Sequence, residues 1–334
     1  MLRIPVNRWK GLLTKASVAC CFLAFAFSAQ AASPLTPGAA IPLTGAKGGF
    51  DFIRIDSAAN RLLAAHEKNK TLDVFDLKTK KLVKAVPTGT CQDVAVDVKR
   101  GKYYVSGNDP ARFVIVDRKT LEVTGELPLP KDTDLVGYNP NTGLVYVSND
   151  TAGETWVIDP DAKKVVTTIK YQGGGVEDLV FDPQYKYLYQ AIKGSNMIAQ
   201  VDAATNKVLN HWPLAPDTGP HGIALVPESN GLLVACQGKL VLMDRTTGKI
   251  LDRVDIGQKV DQMAYDPGTK LAYCAGKFGQ LSVVRVEGDK LTAVGNVADE
   301  QNATSVTLDS KTHTVWIAYA KGDEAFVQPF TPAE

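Results

Sequence analysis

One pattern recurs seven times along the chain and constrains the fold more than any other feature. A short apolar run ending in a turn residue appears as FIRIDS, DVAVDV, LVGYNP, DLVFDP, GIALVP, QMAYDP and SVTLDS. Its anchor positions are Asp56, Asp97, Asn139, Asp182, Val226, Asp266 and Asp309, spaced 41, 42, 43, 44, 40 and 43 residues apart. A near-constant period of this length is the signature of stacked supersecondary units, and it overrides the two-domain prior that 334 residues would suggest.

Each unit repeats the same internal order. After the anchor comes a second apolar run (RLLAAH, KYYVSG, LVYVSN, YLYQAI, LLVACQ, LAYCAG, VWIAYA) and then, in most units, a third ending in Asp (LDVFD, FVIVD, TWVID, IAQVD, LVLMD). A turn such as LKTKK or RTTGK leads to a fourth run. Short β-branched and aromatic runs punctuated by turn residues read as strands, and helical periodicity is absent. Four antiparallel strands per unit make a propeller blade, so the sequence predicts an all-β, seven-bladed β-propeller. The seventh unit reaches a third strand near 326–330 and stops, while AAIPLTG at 39–45 looks like its missing outer strand. An N-terminal strand paired into the last blade closes the ring and removes an open edge.

The segments YVSN (146–149), YVSG (104–107), VIDPDAKKVV (157–166) and GPHGIAL (219–225) resemble the YVTN-repeat, YncE-like propellers of bacterial periplasms. The resemblance covers the whole chain after its leader. It implies the propeller fold and a periplasmic setting, and it brings no shared catalytic motif.

Residues 1–31 have the pattern of an export leader: Arg3, Arg8, Lys10 and Lys15, an apolar stretch from Val18 to Phe27, and the small-x-small site Ala29-Gln30-Ala31. Cleavage after Ala31 would leave a single propeller domain over 32–334, periplasmic or secreted, with 33 basic against 36 acidic residues. No later segment reaches the roughly 20 apolar residues of a membrane span. With no basic tract and no interleaved aromatic stripe, the footprint of nucleic-acid binding is missing. Cys91, Cys236 and Cys274 are odd in number and lack ligand spacing, so at least one thiol is expected to be free and buried.

Setting the units in register predicts which side chains meet around the axis. Five residues before each anchor stand Asp51, Gln92, Asp134, Glu177, His221, Asp261 and Thr304, all polar and four of them carboxylates. Converging carboxylates repel unless pKa values rise or a cation is shared. A divalent cation on Asp51, Asp134, Glu177, His221 and Asp261, or an amine-bearing ligand, would relieve that repulsion; a water-filled polar rim is the alternative. The second loop on this rim adds His66, with Lys193 among the next residues along. Arg54 interrupts an otherwise small ring of Ala95, Gly137, Val180, Ala224, Ala264 and Thr307, as a fixed charge in the channel or as an ion pair. His221 with Cys236 could form a nucleophile and base, or Cys236 could simply be a buried thiol.

YQGGGVEDLVF (171–181) tests the enzyme classes, because its glycines invite comparison with a phosphate cradle. A strand follows them where a cradle needs a helix, so they read as a turn between blades. The leading expectation is an exported, non-catalytic binding or scaffold propeller that presents its acidic rim to a small ligand, metal ion or partner protein. The alternative is a periplasmic enzyme or accessory: a lactonase-like hydrolase using Glu177, Asp134, His221 and Arg54, or the propeller partner of a quinone- or haem-linked dehydrogenase.

Overall fold

A computed structural model describes residues 1–2, 33–43 and 45–333; the leader expected over 1–31 falls, beyond its first two residues, outside them. Six four-stranded antiparallel sheets follow one another along the chain, and a seventh is built from three C-terminal strands and two short N-terminal ones. Blade 1 is Ile53–Asp56, Arg61–His66, Thr71–Asp76 and Lys81–Pro87. Blade 4 is Val176–Phe181, Tyr187–Ile192, Met197–Asp202 and Lys207–Pro213. The expected seven-bladed propeller is therefore the observed fold.

The repeated Asp residues are turn devices. Asp97 Oδ1 accepts the Arg100 N–H at 2.9 Å and Asp266 Oδ1 accepts that of Gly268 at 2.9 Å, closing the hairpin between first and second strands. At the ends of third strands, Asp76 and Asp202 do the same for Thr79 and Thr205, at 2.6 and 2.8 Å. A short carboxylate offers the backbone a local partner, which is why Asp marks both bends.

Second and third strands are buried on both faces, and outer strands are largely exposed. Apolar clusters join each blade to the next: Tyr104, Phe113, Val147 and Trp156 between blades 2 and 3, Tyr189, Trp212 and Val234 between blades 4 and 5. Trp156, Trp212 and Trp316 thus serve inter-blade packing, as expected.

The ring closes through the N-terminal segment, in two pieces. Leu35–Pro37 pairs with Phe330 to Pro332, and Ile41–Pro42 with Val327 and Phe326, along the last strand, Glu324–Pro332. The sequence indicated only the second piece; Leu35, 1% exposed within the cluster of blades 6 and 7, anchors the first.

Candidate functional site

The inner strands run down a central channel, so residues equally far from their anchors lie at equal depth. At one mouth, a cavity of about 280 Å³ is lined by Asp51, Gln92, Asp134, Glu177, His221 and Asp261, together with Asp132, Asp150 and Lys193. Six members of the polar ring read from the sequence do converge there. Thr304 does not line the cavity; its carbonyl accepts the Gln262 N–H.

The cavity holds many acceptors and few donors. Lys193 Nζ rests on Glu177 Oε1 and lies 3.9 Å from Asp150. His221 Nε2 is 3.6 Å from Glu177 Oε1 and 4.0 Å from Asp261, while its Nδ1 is engaged by Gly219 O at 3.0 Å. Gln92 Oε1 is buried with no donor among the described residues. Burial first, then the charges of Asp93, Asp261, Glu67 and Glu177, push the Asp51 carboxyl well above its usual range. Asp134 is pushed up likewise by burial, then by Asp51, Glu177, Asp150 and Asp93. For Lys193 burial alone would lower the pKa, but the contact with Glu177 and the fields of Asp150 and Asp134 outweigh it, and the net direction is up.

The glycines of YQGGGVEDLVF position that lysine. Lys193 N–H donates to Gly175 O at 2.6 Å and Gly194 N–H to Gly174 O at 2.8 Å, holding the 3-10 turn Lys193–Ser195 against the glycine turn. A Cβ on Gly194 would stand 2.3 Å from Gly174 O and one on Gly153 2.2 Å from Gly173 O. Only residues without side chains let these three loops approach so closely.

Two expectations about this mouth need correction. His66 is not at the rim: it is fully buried, Nδ1 lies 2.8 Å from Asp73 Oδ2, Nε2 3.1 Å from Gly48 O, and its ring stacks on Phe50. Both nitrogens are occupied, so it is a core histidine. Arg54 is also absent from the mouth. It takes the ion-pair alternative, donating from Nε and Nη2 to Asp93 at 2.9 and 2.8 Å and reaching Asp178 at 3.4 Å. Cys236 is 2% exposed with its thiol pushed up to about 12 by burial, a small buried group rather than a nucleophile; Cys91 and Cys274 are buried and free as well. Among the described residues no three His, Cys, Asp or Glu side chains are grouped as a metal ion requires.

Below the mouth lies a layer not anticipated from the sequence, four residues before the anchors: Phe52, Asp93, Leu135, Asp178, Gly222, Gln262 and Ser305. Its long polar members fall in blades 2, 4 and 6 and bond to following blades. Asp93 accepts the Val136 N–H and Asp178 that of Ile223, each at 3.2 Å. Gln262 Oε1 accepts from both Val306 and Ile53 at 3.1 Å, and its Nε2 donates to Ile53 O at 2.8 Å. The alternation of acid or amide with apolar or small residues was the available signal. Arg54 of blade 1 bridges Asp93 of blade 2 and Asp178 of blade 4, so that with this layer it makes a polar septum within the channel.

The fold and this central channel define the class: a seven-bladed β-propeller with a carboxylate-rich channel mouth. Within that class the chain is YncE-like, by distant homology. YncE of Salmonella typhi is 24% identical over 225 residues, and YncE of Salmonella typhimurium 23%, each match covering 65% of this chain. The matched region spans 60% of those relatives' length. Residues 47–212 match the family model described as the cytochrome D1 heme domain. Among solved structures, Kuenenia stuttgartiensis hydrazine synthase superposes with a TM-score of 0.74 at 15% identity, covering 83% of this chain and 96% of that one, a likeness of fold. No helix among the described residues is long and apolar enough to cross a membrane.

Proposed function

We propose that this chain is an exported, non-catalytic binding propeller whose acidic mouth takes a small cationic ligand. The observation that carries this reading is the excess of acceptors in one cavity: Asp51, Gln92, Asp134, Glu177 and Asp261 face a space whose one ammonium group is Lys193, with the His221 imidazole beside it. A ligand bearing N–H donors and positive charge supplies what these groups lack. An organic ammonium suits the spacing better than a divalent ion, because the carboxylates surround the cavity without closing into a ligand set. Export rests on the leader pattern of residues 1–31.

The description of the family model that matches residues 47–212 raises haem as an alternative, and the residues do not fit it. A tetrapyrrole's carboxylates need cations, whereas this mouth is acidic. His66 has both nitrogens engaged, His313 Nδ1 is held by Asp266 at 2.7 Å, His211 lies on the outer strand Lys207–Pro213 away from the mouth, and His221 Nε2 stands among the mouth's carboxylates, 3.6 Å from Glu177. A hydrolytic reading is also less well supported: Arg54 is drawn into the septum, and His221 stands beyond hydrogen-bond reach of Glu177.

Calorimetric titration of the chelator-free protein with methylammonium, putrescine and Ca²⁺ tests the proposal. Saturable binding of an amine, weakened by salt and lost in Asp51→Asn/Asp134→Asn, is expected. Binding of Ca²⁺ alone would transfer the site to a metal, and no binding of any of the three would remove it.

A further inference from the structure

A second cavity, of about 500 Å³, lies on the side of the septum away from the acidic mouth. Tyr138, Leu179, Phe181, Leu225, Met263 and Tyr265 contribute to its wall, and Arg54 is the one charged residue lining it. The hydroxyl of Tyr138 is tied to Arg100 at 2.8 Å and that of Tyr265 to Glu228, so both tyrosines offer the cavity ring surface. Val180, Ala224, Ala264 and Thr307, at the depth of Arg54, keep the bore open.

Arg54 is held from one side. Its pair with Asp93 uses Nε and Nη2, Asp178 shares Nη2, and the guanidinium lies over the Phe52 ring, 4.9 Å from its centre. Nη1 has no acceptor among the described residues and is not a buried orphan atom, and the side chain keeps 29% exposure. Two N–H donors, fixed in direction by a bidentate pair, are therefore left for whatever enters a space walled by aromatic and aliphatic side chains together with the neutral polar groups of Gln262, Thr307 and Ser310. A planar guanidinium in such a wall is a strong and directional donor to an oxygen.

Charge selects the kind of oxygen. Asp93 and Asp178 already set two carboxylates against one guanidinium, so an anionic head group would meet net negative charge. A neutral carbonyl accepts both N–H groups without adding to it, and the ring surfaces suit a flat apolar body. We propose that this end of the channel binds a neutral aromatic molecule that presents a carbonyl oxygen to Nη1 of Arg54. The site is independent of the acidic mouth.

Three probes of one shape separate the alternatives: 2-acetylnaphthalene, 2-ethylnaphthalene, which lacks the acceptor, and 2-naphthoate, which adds charge. Titrated against the full chain, the ketone is expected to bind about tenfold more tightly than the hydrocarbon, as a hydrogen bond to a charged donor implies, and the carboxylate most weakly. Arg54→Lys should abolish the preference of ketone over hydrocarbon. Because that change also disturbs Asp93 and Asp178, Ala224→Phe serves as a second variant: it fills the bore, leaves the ion pairs intact and should weaken all three probes. Equal affinity for ketone and hydrocarbon, tighter binding of the carboxylate, no binding to the wild type, or ketone binding untouched by Ala224→Phe would each overturn the proposal.

Discussion

Nζ of Lys193 lies against Oε1 of Glu177 at the channel mouth, and it is the ammonium group closest to the carboxylates there. Glu177 is 8% exposed, so removing its partner leaves a nearly buried charge among like charges. Lys193→Met should cost about 1–2 kcal/mol near neutral pH, discounted for the lysine's partial exposure. Glu177→Gln in the same chain should recover most of that loss. Denaturant melts of the two single variants and the double variant measure it; additive losses would mean the pair is not coupled.

Gln262 should matter more to stability than its rim neighbours. It is 2% exposed and its amide serves Ile53, Val306 and the Ile53 carbonyl together. Gln262→Ala leaves two buried N–H groups unpaired where blades 6, 7 and 1 meet, a loss of about 2–4 kcal/mol. Thr304→Ala, at the partly exposed start of the next inner strand, should cost less than about 1 kcal/mol. Comparable urea midpoints for the two variants would contradict this ranking.

Acidification should first stabilise and then destabilise the protein. Asp51 and Asp134 are raised well above the usual range, and burial pushes Asp178 up to about 6 and Asp299 up to about 7. Between those values and the unfolded carboxyl range the native state holds more protons than the unfolded chain, so stability rises as pH falls from about 7.5 to about 5. Asp56 behaves oppositely: burial would raise it, but Arg118 at 2.6 and 2.8 Å and Tyr103 at 2.7 Å outweigh burial and lower it. The stability it contributes is present above the unfolded carboxyl pKa and is lost as pH falls through its lower folded value. Thermal melts across pH should peak on the acid side of neutrality, and Asp51→Asn should flatten the neutral limb; a maximum above pH 7 would be the contrary result.

Deleting residues 33–43 should open the ring. Leu35 and Leu43 are 1% and 4% exposed, and the strand Glu324–Pro332 would lose its outer partner. Loss of two buried leucines alone costs about 3–6 kcal/mol, and the freed edge invites pairing with a second chain. A lower melting temperature with earlier elution on size exclusion is expected; an unchanged, monomeric species would argue against closure through this segment.

The architecture was legible because it is written in local chemistry. Asp56, Asp97 and Asp266 mark hairpin bends by hydrogen bonding a backbone two or three residues away, and a repeated local device fixes blade number and register without knowledge of long-range contacts. That register placed Asp51, Gln92, Asp134, Glu177, His221 and Asp261 around one mouth.

What each side chain does there was decided by tertiary structure. His66 and Arg54 fall in register with the channel, yet His66 is taken into the core by Asp73 and Gly48, and Arg54 is drawn across to Asp93 and Asp178, 39 and 124 residues away. Lys193 enters the mouth because glycines in three loops permit close backbone approach, which no one-dimensional pattern displays. Periodicity determined where the strands lie, since a strand's burial repeats with the chain. The partner of each charge was left to the folded ring, since desolvation and pairing depend on groups that only the closed propeller brings within a few ångströms.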